Sequence, residues 1–502
     1  MSLDTNDISR IVAEVLKRVE EREGPLAGAL ENKTAAHPSR GGQGAAVPGG
    51  RPFSAPVGGG GFVFSSVDAA VAAASRAQEE FQSLGLEQRG KIIRAMRRAG
   101  VANAEPLAKL AHQETGLGRW QDKVQKNLIV SLKTPGIEVL KALAYTGDKG
   151  LTLVEYAPFG VVAAVTPSTN PTSTILNNSI SILAGGNAAV FSPHPASVRC
   201  VRETMRLLNE AITAAGGPAN LLTTVEPASQ ETTRALLAHP DTRVNLVTGG
   251  PAIVKVAMTV GKTCKTIAAG PGNPPAVVDE TALLPKAAED IVTGASFDNG
   301  VLCTAEKQAI VVEAVKARFL EALRRDARAF ELSPAQTDAL TKLVIVEGGR
   351  GCKDPRLNRD FVGKDAAFLA RGIGLSVPEP TRLLWCEVPN DHPLVWTEQL
   401  MPFFPVTSVK DVDAAIELAY HTEGYNHHTA SMHSMSVDHL TRMGRRMACS
   451  IFVKNAPTFF GLGMGEGYAT MSIGTPTGDG LTQATHFVRP LQCSLVGYFR
   501  IA

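Results

Sequence analysis

The N-terminal segment separates its apolar and charged residues onto opposite sides of a helix. Charged residues of both signs fill the positions between apolar ones that recur at intervals of three and four, namely Ile8, Ile11, Val12, Val15, Leu16 and Val19. This periodicity predicts one amphipathic helix within residues 1–23.

Residues 24–61 are dominated by Gly, Pro, Ala and Ser and are poor in large apolar side chains. Such a composition predicts a disordered linker, because it offers little surface for a core. A short helix on such a linker is only marginally stable in water, so we expect its row of apolar side chains to be buried against another surface. We expect it to bind another protein, and packing on this chain's own surface or a short coiled coil is the alternative. Its mixed charges disfavour a membrane surface.

From Phe62 onward helical patterns are followed by strands and helices in regular alternation, which predicts an α/β fold. Parallel strands joined by helices imply two doubly wound parallel-sheet domains, over 62–271 and 272–460. Residues 461–502, rich in Gly and Thr, have the pattern of an extended arm. Strands are predicted at 160–165, 188–191, 221–225, 243–247, 276–278, 309–312, 383–387 and 451–453, and helices at 67–81, 88–103, 197–214, 230–238, 252–260 and 286–296.

Composition narrows the class of protein. With 502 residues, 44% hydrophobic and 20% charged, the chain is typical of a soluble globular protein of more than one domain. Lys and Arg total 50 against 48 Asp and Glu, so the overall field does not favour nucleic acid or acidic membranes, and a small-molecule substrate is expected. No run of apolar residues is long enough for a membrane span, and no secretion signal is visible.

The seven cysteines show neither CxxC nor Cys/His ligand spacing, which argues against a disulfide framework or a structural zinc site. A reducing cytoplasm is therefore expected. Most of them, Cys200, Cys264, Cys386, Cys449 and Cys493, are interpreted as small buried apolar residues.

Two polar loops follow predicted strands of the first domain. Thr248-Gly249-Gly250 makes a glycine turn before a helix that opens on Pro251, and free N–H groups at such a helix start can hold a phosphate. A plain structural turn explains that motif equally well. Thr166-Pro167-Ser168-Thr169-Asn170-Pro171 forms a rigid loop at a carboxyl edge, where ligands of α/β proteins bind.

Cys303 differs from the other cysteines because it lies beside glycine and polar residues between a helix and a strand, in the segment Phe297–Lys307. A connecting segment of this kind can expose a thiolate and offers backbone donors to it.

These motifs together resemble the aldehyde dehydrogenase superfamily. Phe297, Asn299, Gly300 and Cys303 match its nucleophile motif; the 166–171 loop, Gly186-Asn187 and Thr248-Gly249-Gly250 match its cofactor segments; Thr397-Glu398 and the residues to Val406 match its conserved acidic segment. The resemblance runs from about Phe62 to the end of the chain, and it implies the aldehyde dehydrogenase fold.

The departures from the pattern also point to a function. Hydrolytic members carry a glutamate that activates water, and the corresponding position here is Ala269. Without a general base, the acyl-enzyme needs a nucleophile that is partly ionised near neutral pH, such as a thiol. Ser192, Pro193 and His194 replace the segment that contains the adenosine-binding lysine of hydrolytic members. Together with Gly465-Glu466-Gly467-Tyr468 and Thr475-Pro476-Thr477-Gly478, this segment resembles the CoA-acylating aldehyde dehydrogenases of bacterial microcompartments.

That resemblance implies an NAD- and coenzyme A-dependent oxidation of propionaldehyde, or next acetaldehyde, to acyl-CoA through a thioester on Cys303. It implies that the Cys303 N–H and the Asn170 amide hold the oxyanion, although hydrolytic relatives have their Asn one place earlier, at Thr169 here. Glu398 would hold the nicotinamide ribose. Cofactor contacts are implied for Thr166, Pro167, Ser168, Thr169, Ser192, Pro193, His194, Thr248, Gly249 and Gly250.

The same resemblance implies a homo-oligomer, dimer or tetramer, built on a hairpin near 140–158 and the arm at 461–502. It also implies that the 1–23 helix binds a shell protein and places the enzyme in the lumen of a microcompartment. The alternatives are a hydrolytic dehydrogenase that makes the free acid, which Ala269 disfavours, and a catalytically silent scaffold, which the complete Cys303 motif disfavours.

Overall fold

The computed structural model describes residues 61–500. The predicted helix of residues 1–23 and the linker up to residue 60 lie outside this range. Contacts divide the chain into units Met1–Phe62 and Val63–Ala502, and every element below belongs to the second. Among the described helices none is both long and apolar enough to cross a bilayer.

Four helices follow the short strand of residues 63–64 and precede the other strands of the first sheet. Ser66 caps the first of them by accepting a hydrogen bond from the Ala69 N–H at 3.2 Å. The third ends at Gly116, whose φ of 65° suits a residue without a Cβ. The helices are α1 (Val67–Gln82), α2 (Leu86–Ala102), α3 (Ala104–Thr115) and α4 (Trp120–Lys133).

The first sheet has six parallel strands in the order β1-β6-β5-β4-β7-β8. The chain moves outward from β4 through β5 and β6, then returns to the other side of β4 with β7, so the strand order reverses between β4 and β7. Such a reversal opens a crevice at the carboxyl ends of the strands. The strands are β1 (Val63–Phe64), β4 (Val161–Thr166), β5 (Ala188–Pro193), β6 (Leu222–Val225), β7 (Thr242–Thr248) and β8 (Lys265–Ala269).

Four helices connect these strands, and two of them begin with proline as their first residue. Pro171 and Pro251 fix the backbone for a helix start and lack an N–H that would be left unpaired there. The helices are α5 (Pro171–Ala184), α6 (Val198–Ala214), α7 (Gln230–Ala238) and α8 (Pro251–Thr259).

The second sheet has seven parallel strands in the order β11-β14-β15-β10-β9-β16-β17. Its core includes the fully buried rings of Phe319 and Trp385. The strands are β9 (Pro275–Val278), β10 (Gln308–Val312), β11 (Ala329–Glu331), β14 (Leu383–Glu387), β15 (Phe403–Val409), β16 (Thr429–His433) and β17 (Ile451–Lys454). The helices are α9 (Leu284–Ser296), α10 (Glu313–Arg325), α11 (Pro334–Val344), α12 (Ala366–Gly372), α13 (Pro393–Trp396), α14 (Val412–Thr422) and α15 (Val437–Met447).

The two parallel sheets predicted from the sequence are confirmed. Only five residues, 270–274, join the end of β8 to the start of β9. Because a chain of this length reaches at most roughly 20 Å, the carboxyl edge of the first sheet must lie near the amino edge of the second.

The C-terminal range 461–502 is an extended arm only in part. Strand β20 (Val488–Val496) pairs antiparallel with β3 (Gly150–Pro158), which pairs with β2 (Leu143–Gly147). Residues 469–473 are instead buried, because polar side chains of α5 such as Asn177 hold their backbone. The short pairs are β12 (Ile345–Glu347) with β13 (Arg356–Leu357), and β18 (Ile473–Gly474) with β19 (Gly480–Leu481).

Candidate active site

The two polar loops predicted from the sequence flank the reversal of strand order in the first sheet. The 166–170 loop follows β4, and Thr248-Gly249-Gly250 follows the neighbouring β7. The hydroxyl of Thr166 is buried and has no hydrogen-bond partner among the described residues. Because buried polar atoms are normally satisfied, this hydroxyl at the carboxyl end of β4 is available to a bound group.

The glycine turn after β7 leaves a helix start open. Gly250 is the N-terminal cap of α8, and no side chain caps this helix. A Cβ added at Gly250 would meet nothing within 4 Å. Two hydrogen bonds hold the turn in place. The Gly249 N–H donates to the Ala269 carbonyl at 3.1 Å, and the Thr248 hydroxyl is hydrogen-bonded to the Ser472 hydroxyl at 2.7 Å. The free donors of such a helix start suit a phosphate.

At the end of β5, Ser192 and His194 make internal hydrogen bonds. The Ser192 hydroxyl bonds Thr233 Oγ1 at 2.7 Å, and His194 Nδ1 accepts from the Ala196 N–H at 3.1 Å. Pro193 is paired in register with Thr166, so the Ser192–His194 segment adjoins the 166–170 loop. Partial burial and the nearby Arg359 lower the pKa of His194, which favours the neutral imidazole.

The segment that leads to Cys303 begins with a tight turn in the left-handed region. Asp298, Asn299 and Gly300 have φ values of 48°, 54° and 70°. Two consecutive non-glycine residues in this region are strained and need strong anchors. Asn299 Nδ2 donates to the Gly363 carbonyl at 3.0 Å, and the buried Asp298 carboxylate accepts from the Arg119 N–H at 2.6 Å.

Gly300 permits a close approach that any side chain would block. A Cβ here would lie 2.9 Å from the Met401 carbonyl oxygen, in addition to the strain of the positive φ. The segment that carries Glu398 therefore packs directly on the turn before Cys303.

Cys303 is half-buried rather than openly exposed as expected from the sequence. Burial and the carboxylate of Glu398 raise the pKa of its thiol to about 11, while Lys307 and Lys126 act in the opposite direction. The buried Lys307 ammonium donates to the carbonyls of Gly300 and Leu302 at 2.6 and 3.2 Å, so it fixes the turn. The resting thiol is mostly protonated at neutral pH.

Glu398 lies between α13 and β15 at the amino edge of the second sheet, as Cys303 does before β10. Burial raises the pKa of this carboxyl group to about 7, against the opposing effects of Lys307 and of a hydrogen bond from the Gly272 N–H. His428 lies against Gly272, where an added Cβ would be 3.0 Å from its ring. Burial and Lys307 lower the pKa of His428 to about 4, so its imidazole is neutral.

Ala269, which was matched from sequence to the glutamate of hydrolytic members, is buried at the end of β8. It pairs in register with Thr248, so it lies at the carboxyl edge beside the glycine turn. A methyl group there can neither accept a proton nor orient a water molecule.

Asn170 is buried at the start of α5, and its amide is held at both ends. Its Oδ1 accepts from the Lys126 ammonium at 2.5 Å, and its Nδ2 donates to Thr169 Oγ1 at 3.1 Å. Because the charge of Lys126 also acts on the Cys303 thiol, Asn170 and Cys303 share this ammonium group as a neighbour.

The burial of three lysines near the site was not predicted from the sequence. They are Lys123, Lys126 and Lys307. On a helix, charged residues ordinarily indicate a solvated face, so Lys123 and Lys126 carry no local sign of burial. Lys307 directly precedes a buried strand, and that position was the one available clue.

Comparisons with known proteins agree with these features. Residues 64–480 match the model of the aldehyde dehydrogenase family. The chain is 49% identical over 443 residues to the acetylating acetaldehyde dehydrogenase EutE of Salmonella typhimurium, which covers 88% of this chain and 93% of that protein.

Two solved structures are also similar. One is a Rhodopseudomonas palustris propionaldehyde dehydrogenase with bound CoA and an acylated cysteine, 44% identical with a TM-score of 0.82, covering 87% of this chain and 98% of that one. The other is a propionaldehyde dehydrogenase from the fucose utilisation microcompartment of Clostridium phytofermentans, 39% identical with a TM-score of 0.84, covering 88% and 99%. The chain therefore belongs to the aldehyde dehydrogenase family.

Proposed function

We propose that this chain oxidises a short aliphatic aldehyde, propionaldehyde before acetaldehyde, with NAD and coenzyme A, to give acyl-CoA and NADH. The observation that carries the proposal is the combination of an intact, anchored Cys303 turn with Ala269 at the place of the hydrolytic base. Similar proteins that acylate CoA support the same reaction.

The first step is the addition of the Cys303 sulfur to the aldehyde carbonyl carbon. The thiol must lose its proton, and the Lys307 and Lys126 charges favour the thiolate. The carbonyl oxygen becomes an oxyanion, and the Cys303 N–H and Asn170 Nδ2 are the donors assigned to it. One Nδ2 hydrogen already bonds Thr169, and the second is assigned to the oxyanion.

The groups around the strand reversal fit a dinucleotide. The open start of α8 at Gly249 and Gly250 suits a phosphate, and the unpaired Thr166 hydroxyl suits a polar contact. Pro167, Ser168 and Thr169 would line the same loop, Ser192 to His194 the adenosine side, and Glu398 the nicotinamide ribose. When bound, NAD supplies the hydride acceptor, so that the adduct on Cys303 becomes a thioester.

The second half-reaction transfers the acyl group from Cys303 to the thiol of coenzyme A. The CoA sulfur adds to the thioester carbonyl, the same donors hold the oxyanion, and the Cys303 sulfur leaves. A general base contributes roughly 10² to 10⁴ in rate, so the lack of one at Ala269 makes hydrolysis slow. A thiol is partly ionised near neutral pH and does not depend on that base.

Incubation of purified protein with NAD, CoA and a panel of aldehydes, with mass identification of the products, tests this function. The proposal requires acyl-CoA with one NADH per turnover and little free acid. Free acid as the main product would favour the hydrolytic alternative, and the absence of any turnover would favour the scaffold.

We further assign the apolar sheet β2-β3-β20 to oligomerisation, as a dimer or tetramer. Five apolar side chains on β2 and β20 are 41–76% exposed in the single chain. Exposed apolar groups on one small sheet are typical of an interface between subunits. They are Leu143, Tyr145, Leu491, Leu495 and Val496.

The last part of the proposal concerns location. The amphipathic pattern of residues 1–23 and the linker composition support a tethered helix that binds a shell protein. The similar enzyme from a microcompartment supports a cytoplasmic protein enclosed in the lumen of such a shell.

A further inference from the structure

Helix α4 carries two lysines whose ammonium groups are buried next to the proposed site. Lys123 and Lys126 are only 2% and 1% exposed. Buried lysines are costly unless their charges are paired and their donors used. Both contact the carboxylate of Asp298, Lys123 at 2.9 Å and Lys126 more closely still.

These two lysines connect the halves of the site. Lys123 also donates to the Thr169 carbonyl at 3.1 Å, and Lys126 donates to Asn170 Oδ1 at 2.5 Å. Thr169 and Asn170 follow a strand of the first sheet, whereas Asp298 opens the turn that leads to Cys303 in the second. One helix therefore sets the position of the oxyanion amide relative to the nucleophile.

The contact of Lys126 also determines how the Asn170 amide is turned. An ammonium group only donates, so the oxygen end of the amide must face Lys126 and the nitrogen end must face away from it. The positively charged ammonium group bonded to the amide oxygen also draws electron density from the amide nitrogen. This polarisation makes the N–H of that nitrogen a stronger hydrogen-bond donor. Lys123 touches the backbone of this loop and not the amide.

Other charges limit what Lys126 can contribute. Asp298, Lys123 and Asp122 act on Lys126, and burial lowers its pKa to about 8. Glu398, Lys307 and Lys126 act on Cys303. Lys126 is thus the group that is coupled both to the proposed oxyanion donor and to the nucleophile.

We propose that Lys126 is a positioning residue for both half-reactions, which orients and polarises the Asn170 amide toward the oxyanion formed at Cys303. This inference rests on the proposed function and extends it, because it assigns Lys126 a second task beyond favouring the Cys303 thiolate.

A double-mutant cycle on acyl-CoA formation tests the proposal, with Lys126→Met, Asn170→Ala and both together. We expect Lys126→Met to lower kcat by about 10- to 10²-fold with little change in KM, since loss of a whole oxyanion donor costs about 10² to 10³. In the Asn170→Ala background, Lys126→Met should have a much smaller effect on kcat, limited to the loss of its charge near Cys303. Independent, multiplicative effects would overturn the proposal.

Lys123→Met is the matched control, since it removes an ammonium group from the same carboxylate but none from the amide. Its effect on kcat should multiply with that of Asn170→Ala, and thermal melting should show similar destabilisation for both lysine variants. If Lys123→Met were as non-additive with Asn170→Ala as Lys126→Met, the specific role of Lys126 would be refuted. Lys126→Gln is the second neutral variant if Lys126→Met fails to fold.

Alkylation by iodoacetamide gives a readout that does not depend on turnover. Lys126→Met should slow Cys303 alkylation at pH 7, where Lys126, with a pKa of about 8, is mostly charged, because a charge that favours the thiolate is lost. An unchanged rate at pH 7 would contradict the electrostatic part of the inference. If wild-type enzyme forms acyl-CoA and Asn170→Ala leaves kcat unchanged, the oxyanion assignment fails. If wild-type enzyme forms no acyl-CoA, the proposed function fails.

Discussion

The nucleophile is assigned to a thiol whose surroundings favour its protonated form. Cys303 is half-buried, and burial together with Glu398 raises its pKa to about 11. Only a small fraction is thiolate at pH 7, so substrate addition must either draw on that fraction or follow a change in the surrounding charges.

Replacement of Cys303 by alanine should abolish aldehyde oxidation and also acyl transfer from acyl-CoA, because both pass through the same thioester. NADH formation and isotope exchange with labelled acyl-CoA measure the two half-reactions. Cys449→Ala is the control and should retain turnover, since burial and Glu423 raise the pKa of Cys449 and keep it protonated. An acyl group mapped to any cysteine other than Cys303 would refute the assignment.

Glu398→Gln should separate the two effects of this residue. The ionised carboxylate raises the pKa of Cys303, so its removal should lower that pKa and speed iodoacetamide alkylation of the cofactor-free enzyme at pH 8. The same change should raise KM for NAD, because the proposed ribose contact is weakened.

The sign of the alkylation change is the critical observation in that experiment. For a thiol well below its pKa, the rate should rise about tenfold per pH unit in the variant. Glu398→Gln should be faster than wild type above about pH 7, where Glu398 is ionised. Slower alkylation in the variant would contradict the electrostatic account. Mass mapping of the label to Cys303 is the control.

At the scale of elements, each strand and helix that periodicity and turn residues predicted lies within two residues of its observed bounds, but about half of the elements, including β15, β16 and α10–α15, were not predicted. Buried parallel strands such as β4 consist of continuous apolar residues ended by polar or proline residues, which makes their limits visible. The burial of Lys123 and Lys126 could not be predicted from such local patterns, because it depends on their ion pairs with Asp298, which is distant in sequence.

The predicted N-terminal helix offers a test at the same scale. Removal of residues 1–23 should leave kinetic constants and the melting temperature nearly unchanged, because the linker has little apolar surface to couple the helix to the rest. Targeting should be lost. A fluorescent reporter fused to residues 1–23, followed in cells that make the shell, measures it.

Two variants of that reporter provide the comparison. Ile11→Glu with Leu16→Glu places carboxylates in the presumed interface and should prevent recruitment, whereas Glu14→Lys on the polar face should have a mild effect. Equal recruitment of both variants, or diffuse wild-type reporter, would argue against the targeting role.

At the scale of the whole molecule, the proposed subunit interface can be disrupted without touching the site. Leu491→Glu with Leu495→Glu charges one face of β20, where side chains four apart point the same way. Light scattering should show a lower molar mass, since carboxylates are costly to bury between subunits. Val437→Glu, at another exposed apolar residue, is the control. An unchanged mass would exclude this sheet as the interface.

The arrangement of the two sheets was the part least accessible from sequence. Ligands were expected at carboxyl edges, where the 166–170 loop and the glycine turn lie, but Cys303 and Glu398 lie at the amino edge of the second sheet. The five-residue connection at 270–274 brings the two edges together, and its consequence is visible only once the strand limits are known.

We expect the thioester on Cys303 to persist until a thiol attacks it, because no base activates water at Ala269. Rapid mixing of enzyme, NAD and aldehyde without CoA should release about one equivalent of NADH per site and then nearly stall. Addition of CoA should restore steady turnover and yield acyl-CoA. Fast, CoA-independent NADH formation with free acid as the product would contradict the account.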